Sequence, residues 1–163
     1  MTLLELNAAD RVTFIAALGW IFEDSPWVAE RAWDKRPFST REALHDAMTS
    51  VVSSASPEEQ LALLRAHPDL GASRLMSEAS LREQGDAGLD GLTGGELLRL
   101  RQLNAAYTAK FGFPFVYAVK GSTKNDVVCA LERRLPSTRD AEQKEALAQV
   151  FRIARFRLEE VIP

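Results

Sequence analysis

His67 is the side chain best suited to moving a proton near neutral pH, and the residues around it decide how it is held. It opens the stretch His67-Pro68-Asp69-Leu70-Gly71, at the end of a leucine-rich run that begins at Ser56. Pro68 disfavours helical geometry at the residue before it, so the run stops at His67. A histidine at a helix C-terminus meets the last carbonyls and the negative end of the dipole, which favour its protonated form. That makes His67 a candidate acid or base, against the plainer reading of a polar terminal residue bonding those carbonyls. A second candidate group is Ser80, Glu83 and Gln84, which put a hydroxyl, a carboxylate and an amide within five residues, followed by Gly85, Gly88 and Gly91. Such a group could reach into a cleft as acid, base and hydrogen-bonding partner, yet Ser-x-x-Glu is equally a helix capping box. Arg152, Arg155 and Arg157 could clamp a carboxylate in fork geometry, or could form the solvated face of an amphipathic helix. The other histidine, His45, falls off the apolar stripe of its helix and reads as a solvated surface residue.

Composition narrows the chemistry further. At 163 residues the chain is long enough to bury a core, and we expect a single domain over 1–163. A net charge of -3, with lysines and arginines scattered, argues against a nucleic-acid partner. One cysteine, Cys129, excludes an intrachain disulfide, and two histidines without zinc-type spacing give no reason to expect a metal. No stretch has the apolar length of a membrane span and Met1 to Asp10 lacks signal-peptide character, so a cytoplasmic protein is expected.

The elements that must position these residues read as helices. Asn7 with Asp10 is expected to open the first, through Val12, Phe14, Ile15 and Leu18 to Gly19. Ser25-Pro26 starts a second, ending before Pro37, and Ser39 with Glu42 reads as the capping box of a third. Ser56, Pro57 and Glu59 start the helix that leads to His67. Thr93 with Glu96 caps a long helix ending at Gly112, Thr123 or Asn125 opens the next, and Ser137 or Thr138 opens the last. Phe113-Pro114-Phe115-Val116-Tyr117-Ala118-Val119 has strand-like composition but no partner strand anywhere in the chain. It reads as a buried extended segment whose backbone bonds go elsewhere, or else as a buried helix start at Pro114. The expected fold is all-α, a compact bundle of about seven or eight helices.

Four ordered motifs then carry a resemblance. They are His67-Pro68-Asp69-Leu70; Ser80-x-x-Glu83-Gln84 with Ala87-Gly88-Leu89; Leu103-Asn104-x-x-Tyr107-x-x-Lys110-Phe111-Gly112-Phe113-Pro114-Phe115-Val116; and Ala118-Val119-Lys120-Gly121. With Pro26-Trp27-Val28 and Arg36-Pro37-Phe38 near the start, the chain resembles the OHCU decarboxylase family over nearly its full length. The resemblance implies an all-helical, commonly dimeric enzyme. Its members convert 2-oxo-4-hydroxy-4-carboxy-5-ureidoimidazoline to (S)-allantoin, the last step of urate breakdown, without a metal or organic cofactor. It places the catalytic pair on His67 and Glu83. It places substrate contacts on Pro68, on Ser80, Leu81, Arg82, Glu83 and Gln84, and on the backbone of Phe115, Val116, Tyr117, Ala118 and Val119. An arginine of the last helix completes the set, Arg157 or else Arg155. The chain departs from the family habit at Gly71, where alanine is commoner, at Met76, where threonine is, and at Tyr117, where an aliphatic residue is. The competing class is a non-enzymatic helical module that binds purine-like or ureido-imidazoline rings, with His67 structural.

Overall fold

The computed structural model describes residues 1–71 and 77–163, so Met76 lies outside the described residues. Among the described residues there are nine α-helices and one 3-10 turn, and no strand. The helices are α1 (Leu3–Ala8), α2 (Arg11–Leu18), α3 (Trp27–Trp33), α4 (Arg41–Ser53), α5 (Pro57–Ala66), α6 (Glu78–Asp86), α7 (Gly94–Phe111), α8 (Lys124–Arg134) and α9 (Arg139–Val161), with the 3-10 turn at Leu89–Gly91. The helix beyond the expected seven or eight is α1. It starts on a complete capping box between Thr2 and Glu5 and ends where Ala9 turns extended. No described helix is long and apolar enough to cross a membrane.

By its internal contacts the chain divides into two compact units, Met1–Ala66 with Phe151–Pro163, and His67–Val150. In the first, Leu6, Phe14, Leu18, Phe22, Val28, Leu44, Met48, Leu63 and Leu158 are fully or almost fully buried, burial that supplies most of the unit's stability. Asn7 does not cap α2 as expected. Asp10 accepts the Thr13 N–H instead, while the Asn7 amide clamps Phe38, donating to its carbonyl and accepting from its N–H, both at 2.8 Å. That clamp fixes the chain just before α4, whose N-cap is therefore Thr40 and not Ser39. Ser25 is also no side-chain cap, because its hydroxyl donates to the Glu23 carbonyl. At α5 the expected box is present, with Ser56 and Glu59 exchanging both bonds.

The first unit also closes around Arg157. Its Nη1 donates to the carbonyls of Trp20 and Ile21 at 3.2 and 3.3 Å, and its Nη2 lies 2.9 Å from the Glu23 carboxylate. His45 corrects a further expectation, being half-buried with Nε2 2.8 Å from the Phe151 carbonyl, so it joins α4 to α9. A carbonyl only accepts, so Nε2 carries the proton in that bond.

In the second unit α7 is the central piece. Tyr107 and Phe111 pack with Phe113 and Phe115, the rings of Tyr107 and Phe115 lying edge to face at 5.3 Å. The helix ends as expected at Gly112, whose φ of +81° is the left-handed geometry that glycine adopts without strain. The chain then runs extended through 114–119 with no regular secondary structure, as the aromatic and β-branched residues imply. Thr123 caps α8 through a box with Asp126, and Thr138 accepts the Ala141 N–H at the start of α9.

Candidate active site

The second unit holds His67 and all four motifs in full. His67 follows the last residue of α5 and is only 7% exposed, well below what a solvated terminal histidine would show. The turn behind it is held from two helices. Asn104 of α7 donates from Nδ2 to the Leu70 carbonyl at 3.0 Å, and the Gly71 N–H donates to Gln84 Oε1 of α6 at 2.8 Å. Gly71 has φ +74°, and a Cβ there would meet Leu100 Cδ2 at 2.8 Å, so a side chain at this turn would bring backbone strain and a shift of Leu100, both of which glycine avoids. Here the first, second and third motifs meet: the His-Pro-Asp-Leu turn is tied to Gln84 and to Asn104.

Helix α6 settles the capping question. Its N-cap is Ser77, whose hydroxyl accepts the Ser80 N–H, so Ser80 lies inside the helix and caps nothing at its start. Ser80, Gln84 and Ala87 share the buried side at helical spacing. Glu83 is half-buried beside them, while Leu81 at 53% exposed and Arg82 point outward. The spacing that suggested a cap therefore puts a hydroxyl and an amide inward with a carboxylate at the margin. Gln84 accepts the Gly71 N–H through its Oε1, which ties α6 to the turn that carries His67.

The extended segment supplies main chain. Phe115, Val116, Ala118 and Val119 are buried and Tyr117 is half-buried. Two polar side chains bond it. Arg134 Nη1 donates to the Val116 carbonyl at 2.7 Å, and the Ala118 N–H donates to Gln149 Oε1 at 2.9 Å. Arg134 also lies over the Phe115 ring at 4.5 Å and donates from Nε to Glu142, which takes a 2.6 Å bond from the Tyr107 hydroxyl. Arg134, Gln149 and Glu142 were absent from the expected site, though a signal existed. On α9 the buried positions Glu142, Ala146, Gln149 and Val150 form one stripe, and a polar residue on an apolar stripe needs a partner inside. Arg157, the expected arginine, sits in the first unit with Glu23, and Arg155 is exposed near Glu159. Pro68 is half-buried.

A buried histidine on a clamped turn, with a buried hydroxyl and amide on α6, gives this all-helical protein the types of group that acid–base work on a small polar ligand requires. A family profile described as OHCU decarboxylase matches residues 7–159, and the chain belongs to that family. It is 47% identical over 161 residues to the uric acid degradation bifunctional protein PucL of Bacillus subtilis (strain 168), a match covering 99% of this chain and 33% of that protein. It is 46% identical over 160 residues to the 2-oxo-4-hydroxy-4-carboxy-5-ureidoimidazoline decarboxylase of Haloferax volcanii, with 98% and 95% covered. A crystal structure of (S)-allantoin synthase superposes with a TM-score of 0.82 at 35% identity, covering 99% of this chain and 54% of that one. The chain thus spans about a third of the bifunctional relative and about half of the solved synthase.

Proposed function

We propose that this protein is a carboxy-lyase that decarboxylates 2-oxo-4-hydroxy-4-carboxy-5-ureidoimidazoline to (S)-allantoin. The observation that carries the reading is the burial of His67 on a turn that Gln84 and Asn104 hold, within a chain of this family. Loss of carbon dioxide leaves an electron pair on the carbon that bears the hydroxyl, and the conjugated ring C=N accepts it. One proton is then added to that ring nitrogen and one to the neighbouring ring carbon, while the hydroxyl gives up its own to become a carbonyl, a net uptake of one proton for each carbon dioxide released. The substrate carries its own electron sink, so the protein has to orient a ring and manage three proton movements, two onto the ring and one off the hydroxyl. His67 takes the hydroxyl proton and Glu83 shares the proton inventory, delivery to one face setting the S configuration. Ser80, Gln84 and the main chain of 115–119 hold the ring and ureido groups. Arg157 enters through the resemblance alone, and Arg157→Lys with unchanged stability and a raised KM would support its part in binding. The same reading has the enzyme working in the cytoplasm as a homodimer, a state that light scattering on the purified protein checks.

The test generates the labile substrate from urate with the upstream enzymes and follows circular dichroism with and without this protein. Rapid growth of a dextrorotatory allantoin signal with no cofactor added supports the proposal, and His67→Ala should cut the rate by about 100-fold or more. Unchanged slow decay to an optically inactive product would reject catalysis and leave a ligand-binding module.

A further inference from the structure

An extended segment that belongs to no sheet must still satisfy its backbone, and only half of this one is satisfied by protein. In an extended chain the N–H and C=O of one residue point to the same edge, and those of the next residue to the other edge. The near-parallel rings of Phe115 and Tyr117, 6.0 Å apart with 10° between planes, mark that two-residue repeat. The Val116 carbonyl and the Ala118 N–H therefore share an edge, and Arg134 and Gln149 occupy it. Both holders are themselves fixed. Arg134 is buried and paired with Glu142, and the Gln149 amide has one orientation because its nitrogen donates to Glu145 Oε1 at 2.8 Å. The opposite edge carries the N–H and C=O of Tyr117, and no hydrogen bond joins either to a described residue. Unpaired peptide groups in a buried stretch are costly unless water or a ligand takes them.

We infer that Arg134 and Gln149 are positioning residues that stand in for the missing neighbour strand, and that they aim the Tyr117 peptide at the ligand as a donor and acceptor side by side. The complementary ligand offers an acceptor and a donor with the same spacing, as the –NH–CO– groups of a cyclic ureide or a ureido arm do. A side chain at this position could mutate freely while the recognition survived, because the main chain performs it. The inference rests on the proposed substrate class.

The chain has two tyrosines, Tyr107 and Tyr117, so protein labelled with 15N-tyrosine gives two backbone amide signals. Titration with racemic allantoin should move the Tyr117 amide and leave the Tyr107 amide, internal to α7, in place. Gln149→Leu removes the acceptor for the Ala118 N–H and should raise KM about tenfold with little change in kcat. Arg134→Lys keeps the charge beside Glu142 but loses the fork, and should raise KM in the same sense. Wild-type turnover with a Tyr117 amide that does not move, or with variants that lose stability at unchanged KM, would overturn the positioning role. A wild-type protein that neither turns over the substrate nor binds allantoin would instead overturn the decarboxylase reading beneath it.

Discussion

Arg157 and Arg134 are both buried, both paired with a buried glutamate and both donate to main-chain carbonyls, yet they hold different kinds of chain. Arg157 meets a loop that turns on itself. Around Glu23 the Ile21 N–H already bonds the Leu18 carbonyl, the Ser25 N–H bonds Phe22, and the Ser25 hydroxyl bonds Glu23. Arg134 meets a segment that cannot bond itself, since extended backbone faces outward on both edges. In the first unit the ion pair closes a structure that is otherwise satisfied. In the second the pair sets the direction of groups that remain to be used. A buried charge of the same type is a lock in one place and an aiming device in the other.

The largest effect that tests this contrast belongs to Arg157. Arg157→Met leaves Glu23 buried without its cation and should cost about 3–5 kcal/mol in urea denaturation. Glu23→Leu together with Arg157→Met should regain much of that loss, because an apolar pair no longer strands a charge. A single variant as stable as wild type would mean the loop closes without its lock.

A middle-sized effect belongs to Tyr107, the neutral member of the other network. Tyr107→Phe removes a bond to a charged acceptor and should cost about 1.5–3 kcal/mol. Burial first, and then donation to Glu142, push the Tyr107 hydroxyl well above its ordinary 10.0. A raised folded value stabilises the protein below pH 10.0, and that contribution is lost as pH rises beyond it, when the unfolded chain ionises and the folded one does not. The wild type should therefore lose stability above pH 10 more steeply than Tyr107→Phe, as thermal midpoints across that range would record.

The smallest effect lies outside both networks, at the exposed Arg31–Glu59 pair. The Arg31 guanidinium, helped by the Ser56 N–H, holds the Glu59 carboxyl down from 4.5 to about 2. A lowered folded value stabilises above 4.5 and the benefit disappears as pH falls towards 2. The gap in midpoint between wild type and Arg31→Gln should be slight at pH 7, shrink to nothing in acid, and shrink likewise in roughly 1 M salt. A gap that survives salt would place this surface pair among the buried ones.

What could be read from residues alone follows the range of the forces involved. The helix starts at Ser56, Thr93 and Thr123 were legible because a cap and its partner lie three residues apart and need nothing else. Where two cap residues stood close together, a distant contact chose between them: Asn7 clamps Phe38 and shifts the start of α4 to Thr40. At α6 both Ser77 and Ser80 could have capped, and Ser77 does, which frees the Ser80 side chain to face inward. His67 was legible as a helix terminus because Pro68 acts locally. Its burial was not, because that depends on Asn104 and Gln84 closing the turn. The unpaired character of 113–119 was visible from the lack of any partner strand, but Arg134 and Gln149 come from helices where polar side chains usually face water.

The order of residues along the chain gives the extended segment a further consequence in time. Phe115-Val116-Tyr117-Ala118-Val119 is an uncharged, aromatic and β-branched run with open backbone, the composition that pairs readily with copies of itself. Both of its holders lie downstream, and about 30 residues separate Val119 from Gln149. At a synthesis rate of about 5–20 residues per second, a new chain emerges with this edge bare for roughly 2–6 seconds before the second holder exists. Pro114 on one side and Lys120 on the other are the residues that interrupt and charge the run, and they guard it through that interval.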